Sequence, residues 1–322
     1  MKKGLLFLLL LAGLTPAAGM EQITSETVRE WLGRVSHAGE TLNYQGTFVY
    51  RQGNQLEAVH IIHKADSKGE HERMVSLNGV AREVIRNNDN VTCILPDNRS
   101  VLVDNHGPEN RLPSIPSDLS HIGEYYDFIF EGYERVASRP ARKVMIRPKD
   151  SFRYGYRLWI DDAFELLLKS ELLDSRGNAI EQIMFTDLRL YEQIDDDLLK
   201  PNISGKEYTW VTDSDDKADE PMPMDDRWRA DKLPQGFMLS HRNKHHLPDT
   251  RMPVEHIVYT DGLAWVSVYI DKLEAQKESL QGASSMGAVN AYGRSMGDYH
   301  ITAVGEVPYT TVQLIADAVN HY

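Results

Sequence analysis

Cysteine is almost missing from this chain: Cys93 is the only one in 322 residues. That excludes an intrachain disulfide, and with it the stapled scaffolds common among small secreted proteins. Lying in an expected strand beside Thr92 and Ile94, its thiol reads as a buried, inert side chain. Long apolar runs are equally scarce. A bilayer-spanning helix needs ~20 predominantly apolar residues; the run Leu5 to Leu14 is about half that and stops at Thr15-Pro16. Basic charge is in deficit too, with 35 Lys and Arg against 48 Asp and Glu, a formal net charge of −13 that becomes −15 once Lys2 and Lys3 are removed. Nucleic acids and anionic lipid surfaces attract basic patches, so no nucleic-acid partner is expected.

Catalytic motifs are lacking as well. No G-x-x-x-x-G-K-[ST] or G-x-G-x-x-G loop occurs. Gly293-Arg294-Ser295-Met296-Gly297 fits the G-x-S-x-G elbow, but that motif needs a strand before the serine, a helix after it and a mostly parallel sheet. Here a strand follows, and the connections argue for antiparallel pairing. His60 and His63 stand three apart on an expected strand, hence on opposite faces. His241, His245 and His246 have neither zinc-site spacing nor a nearby cysteine. Asp195-Asp196-Asp197 lacks the D-x-D-x-D-G pattern of a calcium loop. The expectation is a binding protein with no catalytic residue, no metal and no cofactor.

What is present begins with an export pattern. Lys2 and Lys3, the apolar core Leu5 to Leu14, and the small residues Ala17, Ala18 and Gly19 read as a removable secretory signal over residues 1–19. Export without disulfides points to a bacterial periplasm. Val28, Trp31, Leu32 and Val35 then fall at i, i+3, i+4 and i+7, a helical stripe, with Thr24 or Ser25 as its cap. A long meander of strands follows, punctuated by Gly53-Asn54, Asn78-Gly79, Asn87–Asn90 and Ser175–Asn178. Such short connections force neighbouring strands to be antiparallel. The proline-bearing stretch 104–127 is expected as a loop with a short helix near Leu119 to Tyr126.

These signals predict an α+β fold. A large domain, residues 20–205, carries a large curved antiparallel sheet packed on helix. An acidic, aperiodic linker is expected over 206–230, and a smaller antiparallel α+β domain over 231–322. In that smaller unit Asp261-Gly262 marks a hairpin and residues 281–297 read as the least structured part. Pro308 reads as the first residue of a helix presenting Val312, Ile315, Ala316 and Val319. Aromatic residues recur on the strands of the large domain, among them Phe48, Tyr50, Phe128, Phe130 and Trp159. If they share one concave face they can hold an acyl chain or a hydrophobic peptide.

Five strings, in order, carry a family resemblance: LNYQGTFVYRQGNQLEAVHIIH (42–63), EYYDFIFEGYERVASRPARKVMIRPKD (124–150), YRLWIDDAFELLLKSELLDSRGNAIEQ (156–182), VEHIVYTDGLAWVSVYI (254–270) and ITAVGEVPYTTVQLIADAV (301–319). Together they resemble the MucB/RseB family, periplasmic negative regulators of the sigma-E (AlgU-type) envelope-stress sigma factor. The segment 275–297 matches mainly in its small residues, with Gly287-Ala288 and Tyr292.

The resemblance implies an open half-barrel similar to lipoprotein carriers, followed by a small C-terminal domain. It implies binding of the periplasmic segment of a MucA/RseA-type anti-sigma factor, which is thereby shielded from regulated proteolysis. A lipid, lipoprotein or lipopolysaccharide signal would loosen the grip. The implied contact surface is the small domain and the cleft beside it: Tyr259, Asp261, Gly262, Leu263, Trp265, Tyr269, Val304, Gly305 and Glu306. The alternative is a periplasmic lipid or lipoprotein carrier or chaperone. Self-association into a homo-oligomer stays open at this point.

Overall fold

A computed structural model describes residues 23–88, 90–104, 119, 121–202, 208–212, 225–245, 253–273 and 279–322. The expected signal segment, Pro108, Pro113, Pro116, His246 and residues 213–224 of the acidic stretch lie outside the described residues.

Helix α1 (Ser25–Thr41) starts where Thr24 Oγ1 accepts the Thr27 amide at 3.2 Å. The Ser25 hydroxyl instead donates to the Phe128 carbonyl. Val28, Leu32 and Val35 are buried, and Trp31 packs edge-on to Phe130 at 5.6 Å.

The strands of the large domain are β1 (Asn43–Gln52), β2 (Gln55–Asp66), β3 (Gly69–Ser76), β4 (Glu83–Asn87), β5 (Asn90–Leu95) and β6 (Ser100–Asp104). After the proline-bearing stretch come β7 (Tyr126–Val136), β8 (Arg139–Pro148), β9 (Gly155–Asp161), β10 (Leu167–Leu173) and β11 (Ala179–Tyr191). With β12 (Thr209–Thr212) they form one sheet in the order β12-β6-β5-β4-β3-β2-β1-β11-β10-β9-β8-β7. Every neighbour pair is antiparallel except β12 with β6.

Curvature shows in the sheet itself. β11 and β7 stand four places apart in the strand order, yet some of their Cα atoms come within 8 Å of one another. At ~4.8 Å per strand a flat sheet would hold them about 19 Å apart. The sheet therefore curls, with α1 packed against β7. Its ends, β7 and β12, do not pair, so it stays an open half-barrel.

The smaller domain is a second antiparallel sheet. Its strands are β13 (Trp228–Ala230), β14 (Met238–His245), β15 (Val254–Thr260), β16 (Trp265–Lys272), β17 (Gly282–Met286), β18 (Val289–Met296) and β19 (Tyr299–Gly305). They are followed by helix α2 (Tyr309–Ala318) and β20 (Val319–His321). Six of the strands pair in the order β14-β15-β16-β19-β18-β17, while β13 pairs with β20. Val312, Ile315, Ala316 and Val319 are fully buried against this sheet, in a core shared with Trp228, Val266, Val268 and Ile301.

Several local expectations are corrected. Residues 281–297 are strands β17 and β18, not the least structured part; the backbone of the small residues there pairs without interruption. The G-x-S-x-G string sits at the end of β18, where Ser295 pairs with His300 and Gly297-Asp298 turns the chain into β19. Asn78-Gly79 does not close a two-residue hairpin. Asn78 uses its amide as a strand edge, accepting from Ala58 N and donating to Leu56 O, so the loop runs from Leu77 to Arg82. Pro308 is the cap of α2 rather than its first helical residue. The acidic stretch carries β12 near one end and β13 at the other, both hydrogen-bonded to partner strands.

The turn joining β7 to β8 holds a testable strain. Val136 pairs with Arg139, leaving Ala137 and Ser138 both at positive φ, 48° and 64°. A two-residue turn of this kind favours Asn-Gly, and left-handed backbone at a non-glycine residue costs on the order of 1 kcal/mol. The double change Ala137→Asn, Ser138→Gly is expected to raise the urea midpoint by roughly the equivalent of 1 kcal/mol at unchanged slope. A lower midpoint would contradict the turn assignment.

Candidate functional site

The two domains meet over a buried charge. Arg153, in the loop before β9, has a fully buried side chain whose Nε lies 2.9 Å from Oδ2 of Asp261, also fully buried. The same oxygen accepts the Tyr126 hydroxyl at 3.0 Å. Oδ1 of Asp261 takes the amides of Leu263 and Ala264 at 2.9 and 2.7 Å, which builds the β15–β16 turn. One carboxylate thus shapes the small domain's hairpin and binds it to the large domain. The guanidinium is further held by Asp150 and by the Gln235 carbonyl, and it lies over the rings of Tyr125, Tyr126 and Phe237 at 5.1 to 5.4 Å. Gly236 is required here: a Cβ would come within 2.4 Å of the Tyr125 ring. Thr311 of α2 donates to the Phe152 carbonyl at 2.6 Å, and Asn290 donates to the Tyr154 hydroxyl at 3.0 Å.

Beside this interlock lies a cleft of about 660 Å³, within the range of small-molecule sites. Strand alternation builds its floor: Phe48, Tyr50 and Gln52 come from β1, Met74 and Ser76 from β3, Val91 and Cys93 from β5, and Glu181 and Ile183 from β11. Tyr156, Ser170 and Leu172 extend it, and Arg82, Val84 and Arg86 form a basic wall. The small domain supplies Trp265, Val289 and Glu306. Arg82 pairs with Glu57 and Arg86 with Glu72, each at 3.2 Å. Glu181 Oε1 accepts from Gln52 Nε2 at 2.5 Å and, across the domain boundary, from the Ala288 amide at 3.1 Å.

The cleft favours the neutral forms of Glu306, of two phenols and of its thiol. Burial, then the charge of Glu181, pushes the Glu306 carboxyl up to about 7. Burial, then Glu181, also raises the Tyr50 phenol, and burial, then Glu306, raises that of Tyr156. Burial raises the Cys93 thiol.

The structure sorts the sequence-derived candidates. Phe48 and Tyr50 line the cleft. Phe128 does not: it is buried against α1 together with Leu32 and Val144. Phe130 packs on Trp31. Trp159 alternates to the face opposite Leu158 and Tyr156, donates to Glu134 at 2.8 Å and is covered by Lys169 and Lys143. The single concave aromatic face is therefore divided among a helix-covered core, a second buried cluster that holds Trp159, and the cleft. Cys93, expected as buried, is half-buried in the cleft wall.

On the small domain, Trp265, 38 % exposed, and Glu306 reach the cleft. Asp261, Gly262 and Leu263 form the interdomain contact. Tyr259 is a core residue whose hydroxyl accepts the Ala230 amide. Tyr269 stacks on His256 at 4.5 Å. Val304 pairs with Ser267 and Ala291. Gly305 allows close approach, since a Cβ would lie 2.5 Å from the Trp265 carbonyl oxygen. Sequence reasoning missed Arg153, Tyr126, Glu181 and the Arg82–Arg86 wall. Of these, only the alternation Arg82-Val84-Arg86 left a readable signal.

A curved open sheet, a small antiparallel domain locked onto it and a lined cleft between them define a two-domain binding protein. Residues 27–203 match the MucB/RseB N-terminal domain and residues 223–320 the MucB/RseB C-terminal domain. The chain belongs to the MucB/RseB family. It is 32% identical to the sigma factor AlgU regulatory protein MucB of Pseudomonas aeruginosa, over 96% of this chain and 95% of that one. It is 26% identical to the sigma-E factor regulatory protein RseB of Haemophilus influenzae, over 95% and 94%. Among solved structures, the Pseudomonas aeruginosa MucA/MucB complex is similar with a TM-score of 0.70 at 28% identity, covering 91% of this chain and 98% of that one. A crystal structure of MucB is similar with a TM-score of 0.64 at 28% identity, covering 92% and 99%.

Removing one partner of a buried ion pair strands the other charge, at a cost of roughly 3–5 kcal/mol. Asp261→Asn is therefore expected to lower the stability of the purified protein by about 3 kcal/mol in urea melts. The double variant Asp261→Asn, Arg153→Met should recover part of that loss. A neutral Asp261→Asn would show that the interlock does not hold the domains.

Proposed function

We propose that this chain is a periplasmic regulator that acts by binding: it holds the periplasmic segment of a membrane anti-sigma factor and keeps it from the protease that would cut it. The observation that carries this reading is the likeness, over nearly the whole of both chains, to a MucB bound to MucA. The cleft adds a physical basis. A peptide seated there would lay apolar side chains on Phe48, Tyr50, Ile183 and Leu172, under Trp265. Protection needs occupancy alone, so no bond is made or broken and no catalytic set is called for. An amphiphile from a damaged envelope would compete for the same floor, which explains how lipid could release the partner. Among the described residues no helix is long and apolar enough to cross a membrane; the membrane tether belongs to the partner in this reading.

The test is calorimetric titration of residues 20–322 with the periplasmic segment of the host's anti-sigma factor. Trp265→Ala should weaken binding by about 30-fold, the loss of a ~2 kcal/mol aromatic anchor. Arg189→Ala, on an exposed stretch of β11, should leave it unchanged. No heat of binding with the wild type would overturn the proposal.

A further inference from the structure

The cleft contains two carboxylates contributed by different domains, and no described basic side chain neutralises either. Glu181 projects from β11 of the large domain; Glu306 follows β19 of the small one. Neither takes part in an ion pair among the described residues, whereas the cleft's other carboxylate, Glu57, pairs with Arg82. Glu181 is engaged across the boundary by the Ala288 amide. The groups whose ionisation feels Glu306 come from three packed elements: Tyr50 on β1, Tyr154 and Tyr156 at the start of β9, and Glu181 on β11. All three phenols are raised, so they stay neutral through the physiological range. None of the cleft's lining residues is a histidine.

We propose that Glu306 and Glu181 form a pH-sensitive latch, by which acidification closes the small domain onto the large one and neutral or alkaline pH loosens it. When Glu306 is protonated, one charge remains in the cleft and the domains close around it. When it ionises, two like charges face each other across a partly dry gap, and the arrangement that separates them and admits water gains.

The direction follows from linkage. Glu306 holds its proton up to about 7 in the closed arrangement, against its ordinary 4.5 when solvated. The closed state therefore binds the proton more tightly. Its advantage is complete below about 4.5, declines as pH rises through the window between the two values, and is exhausted above about 7. Within that window the ratio of closed to open molecules changes by up to about tenfold per pH unit. This inference goes beyond the binding function, and its readout needs no partner, so the two can fail separately.

The experiment is single-molecule energy transfer on the mature chain in a Cys93→Ser background. Dyes are attached through Arg176→Cys on the large domain and Asp298→Cys on the small one, both exposed turns. From pH 5 to pH 8 the label distance is expected to lengthen. Glu306→Gln, which mimics the protonated acid, should hold the short distance throughout. Glu181→Gln, which removes the facing charge, should reduce the lengthening between pH 5 and pH 8, and it keeps the proposal testable if Glu306→Gln fails to fold. A wild-type distance that does not change with pH, a Glu306→Gln protein that follows the wild-type course, or a Glu181→Gln protein that lengthens as far as the wild type would each overturn the latch.

Discussion

The burial of Arg153 against Asp261 is the constraint on which the rest of this molecule depends. A guanidinium with no exposed side-chain surface is tolerable only if its charge is met; Asp261 meets it at ion-pair distance although Nε makes no aligned hydrogen bond, and each partner is placed by a different segment. Asp150 comes from its own loop, the Gln235 carbonyl from the start of the small domain, and Asp261 from the β15–β16 turn. Such a pair contributes little net stability compared with an apolar substitute, but it penalises every misplacement of the two domains. It fixes an orientation more than it adds adhesion.

From that orientation the cleft follows. The large sheet alone is a curved surface whose floor would be open to water. The small domain, held at one corner by Asp261, brings Trp265, Val289 and Glu306 over the floor. The apolar floor, the basic wall and the two acids at the domain boundary give this space distinct regions, so an extended peptide or an amphiphile would have a preferred direction in it. The proposed function turns on what occupies this cleft, and the chain belongs to the MucB/RseB family.

Much of the architecture was legible from local pattern. The stripe Val28, Trp31, Leu32 and Val35 predicted α1, because burial on one face leaves a period in the sequence, and Gly53-Asn54 predicted the turn from β1 into β2. The meander and its antiparallel pairing came from turn residues for the same reason. The site was much less legible. Phe48 and Trp159 look alike in sequence and share one buried cluster, but only Phe48 reaches the cleft, while Trp159 is covered by two lysines. Arg153 sits in a polar loop that reads as exposed, and only the packing of a domain that begins some 80 residues later buries it. Asn78 misled because its side chain pairs with β2 instead of serving a tight turn. Residues 281–297, rich in Gly, Ser and Ala, lack the side-chain bulk that marks a strand, yet their backbone pairs as well as any other.

The most direct measurement of the central claim is hydrogen–deuterium exchange on residues 20–322 with and without the periplasmic anti-sigma segment. If the interdomain cleft is the seat of binding, protection will appear on Phe48–Gln52, Glu181–Ile183 and the start of β16, with the β14 edge unchanged. Protection confined to β14 or to the strand around Trp159 would contradict the account.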